Sequence, residues 1–389
     1  MPLKSVERIQ QRLNERPAEL AAERKRGKKV AGWQGYNMPE EIIFALGLIP
    51  IRIAFGGDDR LVEVGSRYIS TKNCVFVRET MGLFAENKDP YIKNIDILAF
   101  DATCLQTYRT AELLQYFFNK EVLILGVPRN FYWEEALVYF GKELEYFTSR
   151  LEEYAGVKLT NEALAAAIEL YHETRTTLAA IYEYQAAANP AVTWLEAYEI
   201  IQAGYYLDRT EYLALLKDVL AELQSLAPEP VIAESSGEAR IFLSGSVIPP
   251  GDRKLITIIE SFGGRIVGDD IWTGIVPNLN VNITGPAVSA LARAYLNRTP
   301  HGALPYLDLQ SDRRIAHLKS QIKKYKAYGV IYHTLRYCDP YTFKAKETKD
   351  VLAEYGVPFL EIHTEYAGSD YEAIRTRVEA FVEMLKAKK

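Results

Sequence analysis

Cysteine is scarce in this chain. The 389 residues contain three, Cys74, Cys104 and Cys338, far apart in sequence. Without a secretion signal they do not make a disulfide framework, and a reducing cytoplasm is the expected compartment. The start of the chain, residues 1–13, is charged and lacks the apolar core of a signal peptide. No run approaches the roughly 18 uninterrupted apolar residues of a membrane span. The most apolar stretch, residues 42–55, is broken by Gly47, Pro50 and Arg52. No Gly-x-x-x-x-Gly-Lys-[Ser/Thr] is present, which excludes an ordinary P-loop. No Gly-x-Gly-x-x-Gly follows a strand-like run, which weakens a dinucleotide-binding reading. The five histidines show no His-x-x-x-His spacing, so a zinc enzyme is not indicated. Basic residues are in deficit, 46 against 51 acidic, which argues against a surface built for nucleic acid.

What is present is ordinary for a water-soluble protein: 48% hydrophobic and 25% charged residues. The length exceeds that of a typical single core, so two or three domains are expected. Residues 1–27 read as an amphipathic helix with a basic turn. Residues 28–131 alternate strands (29–33, 49–55, 96–100, 121–127) with helices (from Asn37, 73–86, 108–118). Asn37 is a capping residue, and Glu40 and Glu41 suit a helix dipole. Residues 132–228 carry helical periodicity at 132–154, 161–184, 194–203 and 209–226, with few strand signals. Their many tyrosines read as packing. A linker rich in Pro, Glu and Ser (227–238) leads to a second α/β unit, 229–389. Its strands are expected at 240–246, 265–270, 329–335 and 357–362, and its helices at 254–262, 311–328, 342–355 and 370–386. The expected fold is α/β: two Rossmann-like parallel-sheet lobes joined by a helical subdomain, similar in layout but without a residue-level repeat.

Cys104 and Cys338 each fall just past a buried strand, at the edge where open α/β sheets bind ligands. Cys74 opens a helix, where backbone N–H groups favour a thiolate. Taken singly, each reads as a buried thiol. Taken together, they suggest three thiolates converging on one iron–sulfur cluster. A cubane normally takes four cysteines, so three leave one iron open. Ser244-Gly245-Ser246 is a turn after a strand that could cradle a phosphate or acyl group, with a plain tight turn as the competing reading. Asp269 and Asp270 follow a strand toward the same cleft, although turn acids are common. Arg109 is a further candidate for a substrate cleft. Arg52, Arg67 and Arg78 could serve an anionic ligand, but each reads first as a surface or paired residue. His333 reads as a satisfied core histidine on a strand.

Several stretches, in order, resemble the 2-hydroxyacyl-CoA dehydratase family, which includes the catalytic-module subunits of ATP-dependent benzoyl-CoA reductase. They are Met38-Pro39-Glu40-Glu41 running into Ala45-Leu46-Gly47-Leu48-Ile49-Pro50, then Asn73-Cys74, Thr103-Cys104 and Leu243-Ser244-Gly245. Gly263-Gly264-Arg265-Ile266-Val267-Gly268-Asp269-Asp270 and Tyr337-Cys338-Asp339-Pro340 complete the set. The resemblance runs from about residue 28 to the end. It implies two flavodoxin-like lobes and a [4Fe-4S] cluster held by Cys74, Cys104 and Cys338. It also implies a homologous second catalytic subunit, a separate iron–sulfur ATPase activator and an acyl-CoA substrate. A double-cubane variant would need more cysteines than this chain has. In the dehydratase branch, water leaves through a ketyl radical; in the reductase branch, an aromatic acyl-CoA takes up electrons and protons. Leu105 stands where the dehydratases place an acid after the cysteine, which tilts the expectation toward the reductase. The dehydratase subunit is the alternative, and a two-lobed binding protein without catalysis is the second alternative.

Overall fold

The computed structural model describes residues 3–233, 237–304 and 312–387. It begins with α1 (Lys4–Lys25), whose apolar face (Val6, Ile9, Leu20) is buried. The first lobe follows as β1 (Val30–Gln34), α2 (Glu40–Ala45), β2 (Ile49–Arg52), α3 (Asp59–Gly65), α4 (Val75–Glu86), β3 (Ile97–Asp101), α5 (Leu105–Phe118) and β4 (Val122–Leu125). Four long helical stretches come next: α6 (Glu134–Ala155), α7 (Asn161–Gln185), α8 (Trp194–Ala203) and α9 (Arg209–Leu226). The second lobe comprises β5 (Ala239–Gly245), α10 (Lys254–Ser261), β6 (Gly264–Asp269), α11 (Val288–Asn297), α12 (Arg313–Lys324) and β7 (Gly329–Leu335). It closes with α13 (Asp339–Thr342), α14 (Ala345–Glu354), β8 (Phe359–Thr364) and α15 (Tyr371–Ala387).

Both sheets are wholly parallel, in the orders β2-β1-β3-β4 and β6-β5-β7-β8. Their central strands β1, β3, β5 and β7 are buried from end to end. Helices cover both faces, which is why these strands are nearly continuous apolar runs. In each sheet the direction of winding reverses between the first strand and the third. That reversal opens a crevice beyond the C-terminal ends of β1/β3 and of β5/β7. The cores are not separate: one buried cluster joins Leu98 of the first sheet, Tyr198 of α8 and Leu243 of the second sheet. A second cluster lies on the other face of the first sheet, where Ala31 and Ile97 meet Phe140 and Leu144 of α6 and Leu291 of α11.

Three expectations change. Helix α2 is capped by Pro39, not Asn37, because the Asn37 N–H is already taken by the Asp101 carboxylate and its amide by Thr103. Glu40 and Glu41 do lie in the first turn of α2, where acids suit the dipole, but not as surface groups. They are buried and ion-paired, Glu40 with Arg209 at 2.7 Å and Glu41 with Arg175 at 2.8 Å. Three helices were not expected: α3, capped by the Asp58 side chain, α11, which lies in a stretch interrupted by Gly and Pro, and the short α13 after Cys338. The expected helix start at Ser311 and the Glu234-Ser235-Ser236 part of the linker lie outside the described residues.

Candidate functional site

Each cysteine is the residue that caps a helix: Cys74 for α4, Cys104 for α5 and Cys338 for α13. Backbone N–H groups at those helix starts are orphan donors. Here none makes a cap hydrogen bond to sulfur, but Phe76 and Val77 N–H lie near enough to favour the Cys74 thiolate, Gln106 and Thr107 that of Cys104, and Tyr341 that of Cys338. All three cysteines line a single cavity of about 50 Å³, together with Ser246, Trp272, His301 and Tyr341. The Cys338 thiol is the principal influence that pushes the Cys74 thiol down, while Cys338 itself is held up. Of the pair, Cys74 is the better thiolate. Burial pushes Cys104 up, against the pull of its two N–H donors.

Gln106 ties the three cysteine segments together. Its Oε1 accepts the Cys74 N–H at 2.6 Å, and its Nε2 donates to the Tyr337 carbonyl at 2.9 Å, one residue before Cys338. In the first lobe the crevice is braced by Asp101, whose carboxylate accepts the N–H groups of Tyr36, Asn37 and Thr103. In the second lobe Ser246 Oγ accepts the Leu335 N–H at 2.9 Å. His301 reaches the cavity from the segment after α11. Its ring packs against Tyr36 and Tyr341, and its Nδ1 accepts the Ala303 N–H at 3.0 Å, which places the neutral ring's proton on Nε2. Burial pushes His301 down to about 3, so it stays neutral at physiological pH. Among the described residues no group of three or more His, Cys, Asp or Glu is arranged to hold a single metal ion.

The other predicted residues are scattered. Ser244 is fully buried in β5, with its hydroxyl unpartnered. Gly245 ends that strand and leads to Ser246 on the cavity wall. Asp269 lies away from the thiols: its carboxylate accepts from Tyr182 Oη and Trp194 Nε1, and burial lifts it to about 6. It fastens β6 to the helices. Arg109 is exposed on α5 and pairs with Glu112 at 2.5 Å. Arg67 is exposed, and Arg78 donates to the Thr71 carbonyl at 3.1 Å. Arg52 contradicts its reading as a surface or paired residue, being 1% exposed with no carboxylate partner among the described residues. His333 is buried in β7 and bonded to Thr364. A larger cavity, about 550 Å³, lies elsewhere, between α1, α8 and the loops after β2 and β5. On its wall Glu79 is lifted by burial to about 8, and burial also pushes the Tyr198 and Tyr206 hydroxyls up. It contains no cysteine, so the smaller thiol cavity is the better candidate for redox or metal chemistry. Sequence reasoning missed Gln106, Trp272 and His301; Gln106 alone carried a signal, two residues past a cysteine.

With that geometry in view, the comparisons are decisive on family. The family model described as 2-hydroxyglutaryl-CoA dehydratase, D-component, matches residues 36–385. The chain belongs to this dehydratase family. Among its relatives is a benzoyl-CoA reductase subunit of Thauera aromatica, 27% identical over 92% of this chain and 91% of the relative. The (R)-phenyllactyl-CoA dehydratase beta subunit of Clostridium sporogenes is 24% identical over 92% of each chain. The beta subunit of (R)-2-hydroxyglutaryl-CoA dehydratase of Acidaminococcus fermentans is 22% identical over 94% of this chain and 95% of the relative. Family and relatives make the chain an enzyme subunit of the benzoyl-CoA reductase or 2-hydroxyacyl-CoA dehydratase type, an oxidoreductase or lyase. Among the described residues no helix is long and apolar enough to cross a membrane.

Proposed function

We propose that Cys74, Cys104 and Cys338 hold a [4Fe-4S] cluster and that the chain is the iron–sulfur subunit of a benzoyl-CoA reductase-type enzyme, working in the cytoplasm on an aromatic acyl-CoA. One observation carries this reading: the only three cysteines of the chain cap three helices that meet at one cavity. The donor set fits a cluster better than an ion. A single ion needs its ligands gathered around one point, and no such group is present among the described residues. A cluster takes each thiolate on a different iron, spread around its own volume. The N–H donors at the sulfurs would offset the charge of three thiolates.

When bound, the cluster supplies single electrons at low potential, received from an ATP-driven activator. The residues of this chain do the rest. Gln106 holds the Cys74 and Cys338 segments at fixed separation. Trp272, Tyr341 and neutral His301 keep the cavity wall largely apolar, which limits water around a reactive substrate. Outside, Cys104 also lines a second cavity of about 400 Å³ with Leu105, Phe343, Arg129 and Lys344. Arg129 gives it a fixed positive charge, and Lys344, pushed down by burial to about 7, adds a partial one, which suits an anionic CoA ester. Leu105 and Phe343 at its rim are 68% and 74% exposed. Such a rim suits cover by the homologous second subunit, as the relatives' names as subunits suggest. The reductase is favoured over the dehydratase by Leu105 after Cys104. The dehydratase reading keeps its support from the relatives named dehydratase subunits.

The test is anaerobic purification and an iron and sulfide count, for the protein and for Cys104→Ser. About four irons per chain, lost in the variant, are expected. Benzoyl-CoA and a 2-hydroxyacyl-CoA are then offered to the assembled enzyme with activator. An iron-free protein would sink the cluster, and turnover of the hydroxyacyl ester alone would move the subunit to the dehydratase branch.

A further inference from the structure

Arg52 is the last residue of β2 and is buried in a box of aromatic rings. Its guanidinium lies 4.3 Å from the ring centre of Tyr205, 5.0 Å from Trp272 and 5.2 Å from Trp33. Nη2 donates a long bond, 3.3 Å, to the Trp272 carbonyl, and Nε and Nη1 have no partner among the described residues. Arg298, just past α11, is half-buried and repeats the pattern in part. It lies over Tyr36 at 3.9 Å and Tyr295 at 4.9 Å, and its shielded Nε and Nη2 are also unpartnered. Both line one enclosed cavity of about 30 Å³ together with Arg175, Arg209 and Glu40. Arg175 and Arg209 already have Glu41 and Glu40 as counterions. Asp101 acts on Arg298 through space, but its oxygens are occupied by backbone N–H groups. Arg52 and Arg298 therefore bring two positive charges to the cavity without a carboxylate of their own.

We propose that this cavity binds a small monovalent anion, of the size of a halide or formate, between Arg52 and Arg298. A buried charge without partner or hydrogen bonds is strongly unfavourable. Ring faces attract a cation but fill none of its N–H bonds. A water would fill N–H bonds but carry no charge; an anion fills them and also offsets one of the two positive charges. The volume admits only a small occupant, since one water needs roughly 10–15 Å³. The site is separate from the thiol cavity, with Trp272 and the Tyr36–His301 ring pair between them. Binding there requires no cluster.

The test follows thermal unfolding of the full chain in sodium bromide, sodium formate and sodium gluconate at constant ionic strength. A ligand that binds only the folded state raises its midpoint saturably. Bromide and formate should do so, and gluconate, too large for the cavity, should not. Arg52→Met and Arg298→Met should each raise the half-saturating bromide concentration about tenfold or more, whereas Arg109→Met, on the exposed face of α5, should leave it unchanged. Crystals of the unaltered protein grown in bromide should show anomalous density between Arg52 and Arg298, which decides the question even if a variant fails to fold. Equal responses to bromide and gluconate, an unshifted response in both arginine variants, or ordered water in place of bromide would each overturn the proposal.

Discussion

In the first lobe β3 ends at Asp101 and reaches Cys104 after Ala102 and Thr103; in the second, β7 ends at Leu335 and reaches Cys338 after Arg336 and Tyr337. The neighbouring strands also match. Gly35 follows β1 with φ +153°, and Gly245 ends β5 with φ +124°. The means of closure differ. A side chain at Gly35 would meet the Asp101 carboxylate at 2.3 Å, whereas at Gly245 it would meet the His333 carbonyl oxygen at 2.0 Å. The first lobe braces its crevice with a carboxylate and contributes two thiols. The second braces it with Ser246 and contributes one. Strand order alone brings a crevice to the same place in each sheet, and the side chains at the rim then diverge without disturbing it.

The largest expected effect tests whether the lobes act on one centre. Cys104→Ser and Cys338→Ser should each lower activity of the assembled enzyme by more than about 100-fold, beyond the usual cost of disturbing a ligand's support. If only one of them matters, the thiols of the two lobes do not share a group. Next come the glycines. Gly245→Ala should cost about 3–5 kcal/mol, because a backbone oxygen stands in the way and the backbone conformation is strained. Gly35→Ala should cost about 2–4 kcal/mol, since the obstructing Asp101 is a side chain, although one pinned by three N–H groups. Urea unfolding of both variants gives the order, and a milder Gly245→Ala would break the comparison.

Gln106→Leu removes the strap between the lobes. It leaves the Cys74 N–H and the Tyr337 carbonyl without their partner, at a cost of about 2 kcal/mol. Hydrogen exchange should quicken at Cys74 and leave β4 unchanged; equal protection in both proteins would mean the strap is not a constraint. The smallest effect belongs to Glu79 on α4, which is lifted from 4.5 to about 8 by burial. The folded state therefore holds an extra proton between those values, and stability falls as pH rises through that window. Glu79→Gln gives up one of the two backbone N–H bonds that the carboxyl accepts from Gly57 and Asp58, a constant cost, but relative to the parent it should gain about 1–3 kcal/mol between pH 4.5 and pH 8. A difference independent of pH would show that Glu79 ionises freely in the fold.

Much of this was legible in the chain. Helices α8 and α9 and strand β7 have the bounds that periodicity assigns them, because each presents an apolar pattern of its own period between clear stops. The thiols' positions at strand exits and helix starts were readable for the same local reason. Those positions suggested a shared iron–sulfur cluster, and family resemblance supplied its [4Fe-4S] form and ligand set. What the chain concealed depends on partners distant in sequence. Gln106 and Tyr337 are 231 residues apart, and Tyr295 and Glu41 are 254 apart. Helix α11 crosses to pack on α6 behind the first sheet and so delivers Arg298 and His301 to the space between the lobes. Asp269, a turn acid by pattern, is a buried acceptor, and Arg52, a surface or paired cation by pattern, is sealed among rings. Local sequence determines which segments become strands and helices, since propensity, period and capping act over a few residues. Which polar groups are buried, and whether a partner meets them there, was decided only when the two sheets and α11 packed together, because burial and charge compensation belong to the assembled core.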